Sequence, residues 1–245
     1  MNFPINFHIG NFEISSHLVF ETLSFFIGYR YYSFLRSRQK DLIVDENRIW
    51  IIIGAAAGAF IFSRFIGIME NPSLIKENWL LAFGNKSIIG GLLGGLIGVE
   101  LVKKWIGENH SSGDLFTLPL IVAIGIGRVG CFLAGLSDNT YGVETSLPWG
   151  IDLGDGIHRH PTNLYEIGFL VVLYFSLKKI RAEKLKSGAM FKLFMVSYLS
   201  FRFLIEFIKP NEFSFLSLSA IQIACIAGLI HYWKVIIFPK QSLYA

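Results

Sequence analysis

Arg128 stands in an otherwise apolar stretch, Leu118 to Ala134, between Gly127 and Gly130. A full charge in the middle of a membrane helix costs a few kcal/mol or more, so such a residue marks a functional site by default. Two further arginines, Arg64 and Arg202, lie in stretches of the same kind, accompanied by the carboxylates Glu21, Glu166 and Glu206. A guanidinium fork meets two phosphate oxygens at once, which the point charge of a lysine does not do. The chemistry these residues suit is the binding of a phosphate group, and an anionic phospholipid head group fits best.

Bulk properties put the arginines in a membrane. The chain has 245 residues, 53% of them hydrophobic and 16% charged, with a mean hydropathy of +0.51, on the membrane side of what soluble domains show. The net charge is only +4, and the lysines sit at the ends of apolar runs rather than on one face, so no nucleic-acid partner is expected. Cys131 and Cys225 both fall in apolar spans, which leaves no disulfide framework and no zinc spacing. No other metal-ligand spacing, glycine-rich phosphate loop or Ser-His-Asp grouping appears, so neither a metal nor a cofactor is expected.

A bilayer core takes about 20 apolar residues per helix. That ruler predicts an all-α integral membrane protein, one polytopic domain over residues 1–245 with seven spans near 15–35, 49–70, 86–105, 115–136, 161–178, 188–209 and 214–238. Arg36, Arg38, Lys40 and Arg48 follow the first span, Lys103 and Lys104 the third, Lys178, Lys179, Arg181, Lys184 and Lys186 the fifth, and Lys234 and Lys240 the last. These loops belong in the cytoplasm by the positive-inside rule. The alternate loops, Asn71 to Asn78, Ser137 to His160 and Pro210 to Phe213, carry few positive charges and face outward, which puts the N-terminus outside and the C-terminus inside. Residues Met1 to Ser15 lack the basic start of a signal peptide and are expected to be retained.

With a rise of about 1.5 Å per residue, this topology places Glu21, Arg64, Glu70, Arg128, Glu166, Arg202 and Glu206 in one leaflet, the outer one. Scattered structural ion pairs have no reason to share a depth, whereas a polar cavity open to that leaflet requires it. Two plainer readings stay open. Arg202 and Glu206, at i and i+4, can neutralise each other, and Arg64 can snorkel to interfacial water.

Glycines at Gly54 and Gly58, and through Gly90-Gly91-Leu92-Leu93-Gly94-Gly95-Leu96-Ile97-Gly98, read as close helix packing. Asn85-Lys86-Ser87, at the mouth of the third span, suits either helix capping or head-group contact. In the outer loop, Pro161 suits the first turn of a helix, and His160 beside it is placed to act as a base or a phosphate contact, or to be an interfacial histidine with no task.

Several stretches together carry a resemblance. Gly125-Ile126-Gly127-Arg128-Val129-Gly130-Cys131-Phe132 resembles the glycine-arginine signature of the bacterial prolipoprotein diacylglyceryl transferases. Arg159-His160-Pro161-Thr162-Asn163-Leu164-Tyr165-Glu166 is similar to that family's second motif, and Tyr198 through Arg202 to Glu206-Phe207 to its third. Gly94 and Gly95 fit the glycine pair of the third span, and Gln222 matches a glutamine of the last helix. The resemblance implies transfer of the diacylglyceryl group of phosphatidylglycerol to the thiol of a prolipoprotein's lipobox cysteine, with release of glycerol phosphate, in the bacterial inner membrane and at its outer face. It implies that Arg128 and Arg202 clamp the phosphate and stabilise it as it leaves. Arg64, Gly127, Gly130, Cys131, Tyr165, Glu166, Glu206, Gly94 and Gly95 are expected around the substrates.

The chain also departs from the pattern. Leu93 stands where the family has a histidine, Glu21 aligns with a tyrosine, and Cys131, Ala134 and Leu136 replace two asparagines and a glutamate. A proton acceptor for the thiol must then come from Glu21, Glu166 or His160, and Glu21 is preferred because burial raises a carboxylate's pKa. Two other functions are carried alongside: a phospholipid-dependent transferase with a different acceptor, and a non-catalytic protein that binds anionic lipid.

Overall fold

Apolar runs interrupted by glycine, proline and basic clusters produce a largely helical chain, seen here in a computed structural model that describes residues 3–10, 12–39, 41–180, 185–211 and 215–244. Of the residues named above, Met1, Lys40, Arg181, Lys184 and Phe213 lie outside that set. Among the described residues the fold is all-α apart from two small hairpins and two isolated bridges. The first joins β1 (Asn6–Ile9) to β2 (Phe12–Ser15), with Asn6 opposite Ser15 and Ile9 opposite Phe12. Gly10 turns this hairpin with φ +59°, a backbone conformation that favours glycine. The second joins β3 (Ile151–Asp152) to β4 (His158–Arg159) inside the loop expected to face outward.

Six long helices correspond to the first six expected spans. They are α1 (Ser16–Arg38), α2 (Asp45–Glu70), α5 (Ile88–Ile106), α6 (Asp114–Ala134), α7 (Thr162–Lys179) and α8 (Ala189–Ile205). Two short helices, α3 (Ser73–Glu77) and α4 (Trp79–Gly84), bridge α2 and α5. Both α6 and α8 tighten into 3-10 turns, Gly135–Asp138 and Glu206–Ile208. The last expected span is shorter and broken, into α9 (Ala220–His231), α10 (Trp233–Ile237) and α11 (Pro239–Leu243). A helix cannot start earlier because Leu216 and Ser217 take positive φ and Ser219 closes a capping box with Gln222. By length and composition, α2 and the segment Asp114–Asp138 qualify as membrane spans, each with a hydropathy of 2.0.

The helices divide into two compact units. In the first, α1 packs along α6, and α7 packs on α6. A Cβ on Gly130 would come 2.7 Å from the Cβ of Phe20, so the missing side chain is what lets α1 lie close to α6 at that level. Tyr32 of α1 stacks on Phe116 of α6 with centroids 4.4 Å apart. The hydroxyls of Tyr31 and Tyr174, 2.9 Å apart, join α1 to α7.

The second unit is built on the pair α2 and α5. Added side chains on Gly58, Gly94 and Gly98 would collide with carbonyl groups of the opposite helix, so the two backbones touch and the packing role expected for these glycines holds. Phe194, Met195, Tyr198 and Leu199 of α8 are fully buried in this unit. Ser87 caps α5 by accepting from Gly90 N at 3.3 Å, which decides its ambiguous role in favour of capping. Arg48, grouped above with the basic loop residues, is buried. It is paired with Asp41 and donates to the Ser112 carbonyl at 3.5 Å.

Candidate active site

Arg128 and Cys131 are three residues apart on α6 and so share one face of it. That face meets Glu166 of α7, whose Oε1 lies 2.9 Å from Arg128 Nε, with both side chains almost completely buried. Arg128 Nη1 also reaches Cys131 Sγ at 3.8 Å. Gly127, one position before the arginine, has open space where a side chain would be. On the α1 side, His17 and Glu21 face one another one turn apart, with Nε2 3.7 Å from the Glu21 carboxylate. His17 Nδ1 is 2.9 Å from Asp138 Oδ1, in the 3-10 turn that ends α6. Asp138 is held in turn by Thr140, whose hydroxyl donates to Oδ2 at 2.7 Å. Asn163 and Thr162, at the start of α7, donate to the Thr140 hydroxyl at 3.1 Å and to its carbonyl at 2.8 Å.

In the second unit, Arg202 Nη2 lies 2.9 Å from Glu206 Oε2, one turn further along, and both are buried. The i,i+4 pairing weighed above is therefore formed. Arg64 makes no ion pair among the described residues. Its guanidinium lies over the rings of Phe60 at 5.0 Å and Phe83 at 5.4 Å, an attraction worth about 0.5–2 kcal/mol. Gly94 and Gly95 turn their bare faces to α2. Gln222 donates to the Phe203 carbonyl at 3.3 Å and accepts from Ser219 N at 2.9 Å, so it ties α9 to α8.

His160 bonds to Tyr165 of α7 rather than to the arginines. Its Nδ1 is 3.2 Å from the Tyr165 hydroxyl, which also accepts from Trp149 Nε1 at 2.8 Å. Nearby, Asp152 accepts from the backbone N–H groups of Gly154, Gly156 and Asp155 at 2.8–3.1 Å, which holds its carboxyl below the usual range. Arg159 does the same to Asp155 across a 2.6 Å contact.

Comparison with known proteins places these residues in a family. A family model described as prolipoprotein diacylglyceryl transferase matches residues 4–238. The chain belongs to that family. Among its relatives is a protein of Clostridium tetani, 33% identical, with 72% of this chain and 72% of the relative covered. One of Nitratidesulfovibrio vulgaris is 31% identical over 72% and 68%, and one of Geobacter sulfurreducens is 27% identical over 98% and 92%. Each of these is named phosphatidylglycerol–prolipoprotein diacylglyceryl transferase.

As a prolipoprotein diacylglyceryl transferase, the chain shows its departures in the structure too. Leu93, where a histidine was expected, packs toward the Gly228 position beside Leu199 and has no acid–base chemistry to offer. Sequence reasoning singled out Glu21 and Cys131 but missed His17 and Asp138, which join them. The signals were present as the i,i+4 spacing of His17 and Glu21 and an acidic residue seven positions after Cys131. Neither spacing says that α1 meets the end of α6.

Proposed function

We propose that this protein transfers the diacylglyceryl group of phosphatidylglycerol to the lipobox cysteine thiol of a prolipoprotein and releases glycerol phosphate. It is a transferase of lipoprotein biosynthesis and a bacterial membrane enzyme. The observation that carries the reading is Arg128, a buried arginine of the matching motif, 2.9 Å from the buried carboxylate of Glu166 and next to the open flank of Gly127. Glu166 keeps the guanidinium neutralised and oriented, and a guanidinium fork suits the phosphate oxygens of the lipid. As the glyceryl carbon–oxygen bond breaks, negative charge grows on the phosphate, and a fixed guanidinium in a water-poor site stabilises it without reorganising. The family motif gives Arg202 the same task. Arg64, with no carboxylate partner among the described residues, suits a lipid head group.

The topology belongs to this proposal. Seven spans within a single polytopic domain, the N-terminus outside and the site at the outer leaflet of the inner membrane follow from the alternation of basic loops and the common depth of the charges. The loss of the expected histidine at Leu93 supports a second reading, a transferase with the same donor and another acceptor.

Purified protein, given phosphatidylglycerol with and without a lipobox-containing signal peptide, separates the readings. Peptide-dependent release of glycerol phosphate with a thioether-linked product is expected. Release with the peptide left unmodified would favour the other acceptor. Lipid binding with no release at all would refute transfer.

A further inference from the structure

Three elements bring a thiol, an imidazole and a carboxylate to one point in the first unit. The donor atoms of Cys131 (α6), His17 (α1) and Asp138 (the 3-10 turn) all lie within 4.8 Å of one another. From this geometry we propose that they bind a single divalent ion of zinc's class. Sulfur, nitrogen and oxygen donors in this combination suit zinc, which in catalytic sites takes three protein ligands and keeps a fourth position open.

Each donor also has the outer partner that metal ligands use to fix their orientation. Thr140 donates to the far oxygen of Asp138 at 2.7 Å. Arg128 Nη1 points at the Cys131 sulfur at 3.8 Å, where it offsets thiolate charge. Glu21 faces the second ring nitrogen of His17 at 3.7 Å, giving a carboxylate–histidine–metal arrangement when Nδ1 is the ligand. Ligands of a tetrahedral zinc stand roughly 3.4–3.6 Å apart. An entering ion would therefore part the 2.9 Å His17–Asp138 contact by about half an ångström, within the play of two side chains.

The fourth position suits water or a thiol. On the proposed transferase reading, the acceptor cysteine takes it. Water bound at that position would give up a proton to solvent, the hydroxide so formed would accept the thiol proton and leave as water, and the thiolate sulfur would then bond to the glyceryl carbon. The carbon–oxygen electron pair departs on the phosphate held by Arg128. A metal-bound thiol is deprotonated outright, which supplies the activation that Leu93 cannot.

The test is cobalt substitution of the full chain in lipid nanodiscs. A near-ultraviolet thiolate-to-cobalt band is expected in the wild type, displaced by equimolar zinc, abolished by Cys131→Ser and retained in Cys225→Ala, which removes the other thiol of the chain. Glu21→Gln is expected to weaken zinc binding about 10–100-fold. Absence of the band in the wild type, or its survival in Cys131→Ser, overturns the site and leaves His17 and Asp138 as an ion pair. Adding a lipobox peptide to the cobalt form is expected to strengthen the band as a second thiolate binds, and an unchanged band overturns the acceptor role. A chain that binds zinc yet releases no glycerol phosphate would refute the transferase reading while the site stands.

Discussion

Replacing Glu166 by Gln keeps the shape of the Arg128 contact and removes its charge. Arg128 and Glu166 are 6% and 2% exposed as side chains and 2.9 Å apart. At an effective dielectric of ~20, their attraction is on the order of 5 kcal/mol before the cost of desolvation. Removing one partner of such a buried pair strands the other, at about 3–5 kcal/mol. For a chain of this length that is a fall in Tm of roughly 6–20 °C, expected in thermal unfolding in nanodiscs of neutral phosphatidylcholine. Exchanging part of that lipid for phosphatidylglycerol brings an anion back to Arg128. The variant should then recover about 2 kcal/mol more than the wild type gains, equivalent to roughly thirtyfold tighter lipid binding. The measurement is the difference between two lipid-induced shifts, so a general stabilising effect of anionic bilayers cancels. Equal shifts in the two proteins would refute the assignment of Arg128 to the phosphate. An unchanged Tm in neutral lipid would refute the burial argument itself.

Two further outcomes follow from local geometry. Gly127→Ala should leave the fold intact, or raise helix stability by about 0.5–1 kcal/mol, while impairing turnover because it fills space beside Arg128. Gly130→Ala should instead lose about 1–3 kcal/mol by pushing Phe20 and α1 away, and comparing melting with lipid turnover for the two variants checks both. In the loop between α6 and α7, the carboxyls of Asp152 and Asp155 are held below their usual range in the folded protein. Their contribution is present above the ordinary aspartate pKa of about 3.9 and is lost as pH falls through the lower folded values. Amide exchange in residues 152–159 should accelerate selectively below pH ~4, and exchange unaltered down to pH ~3 would contradict this.

Much of the protein was legible from local pattern. Apolar run length set α1, α2, α5, α6, α7 and α8 within a few residues, because a run of that length buries its backbone polar groups only as helix, whereas α3 and α4 fall where a loop was expected. Gly54, Gly58, Gly94 and Gly98 announced the α2–α5 seam, since absence of a side chain is itself the contact. The N-terminal hairpin was not legible, although Gly10 sits at its turn, because two four-residue strands are too short to show a clear alternation. The break before Ala220 was written in Ser219 and Gln222, but Phe215 to Leu218 read as apolar and were assigned to the helix.

The cost of burying Arg128, Arg202 and Arg64 made them conspicuous from sequence alone, since desolvation penalises a charge wherever the chain goes. The sequence determined the residue types, the helical runs and the phosphate-seeking chemistry. The partners were decided by tertiary structure. Glu166 reaches Arg128 from another helix, Arg64 rests on two rings, and His17 reaches Cys131 and Asp138 across more than a hundred residues because Gly130 admits α1. Pairing energies depend on distances of a few ångströms, and only the packed helices set those distances.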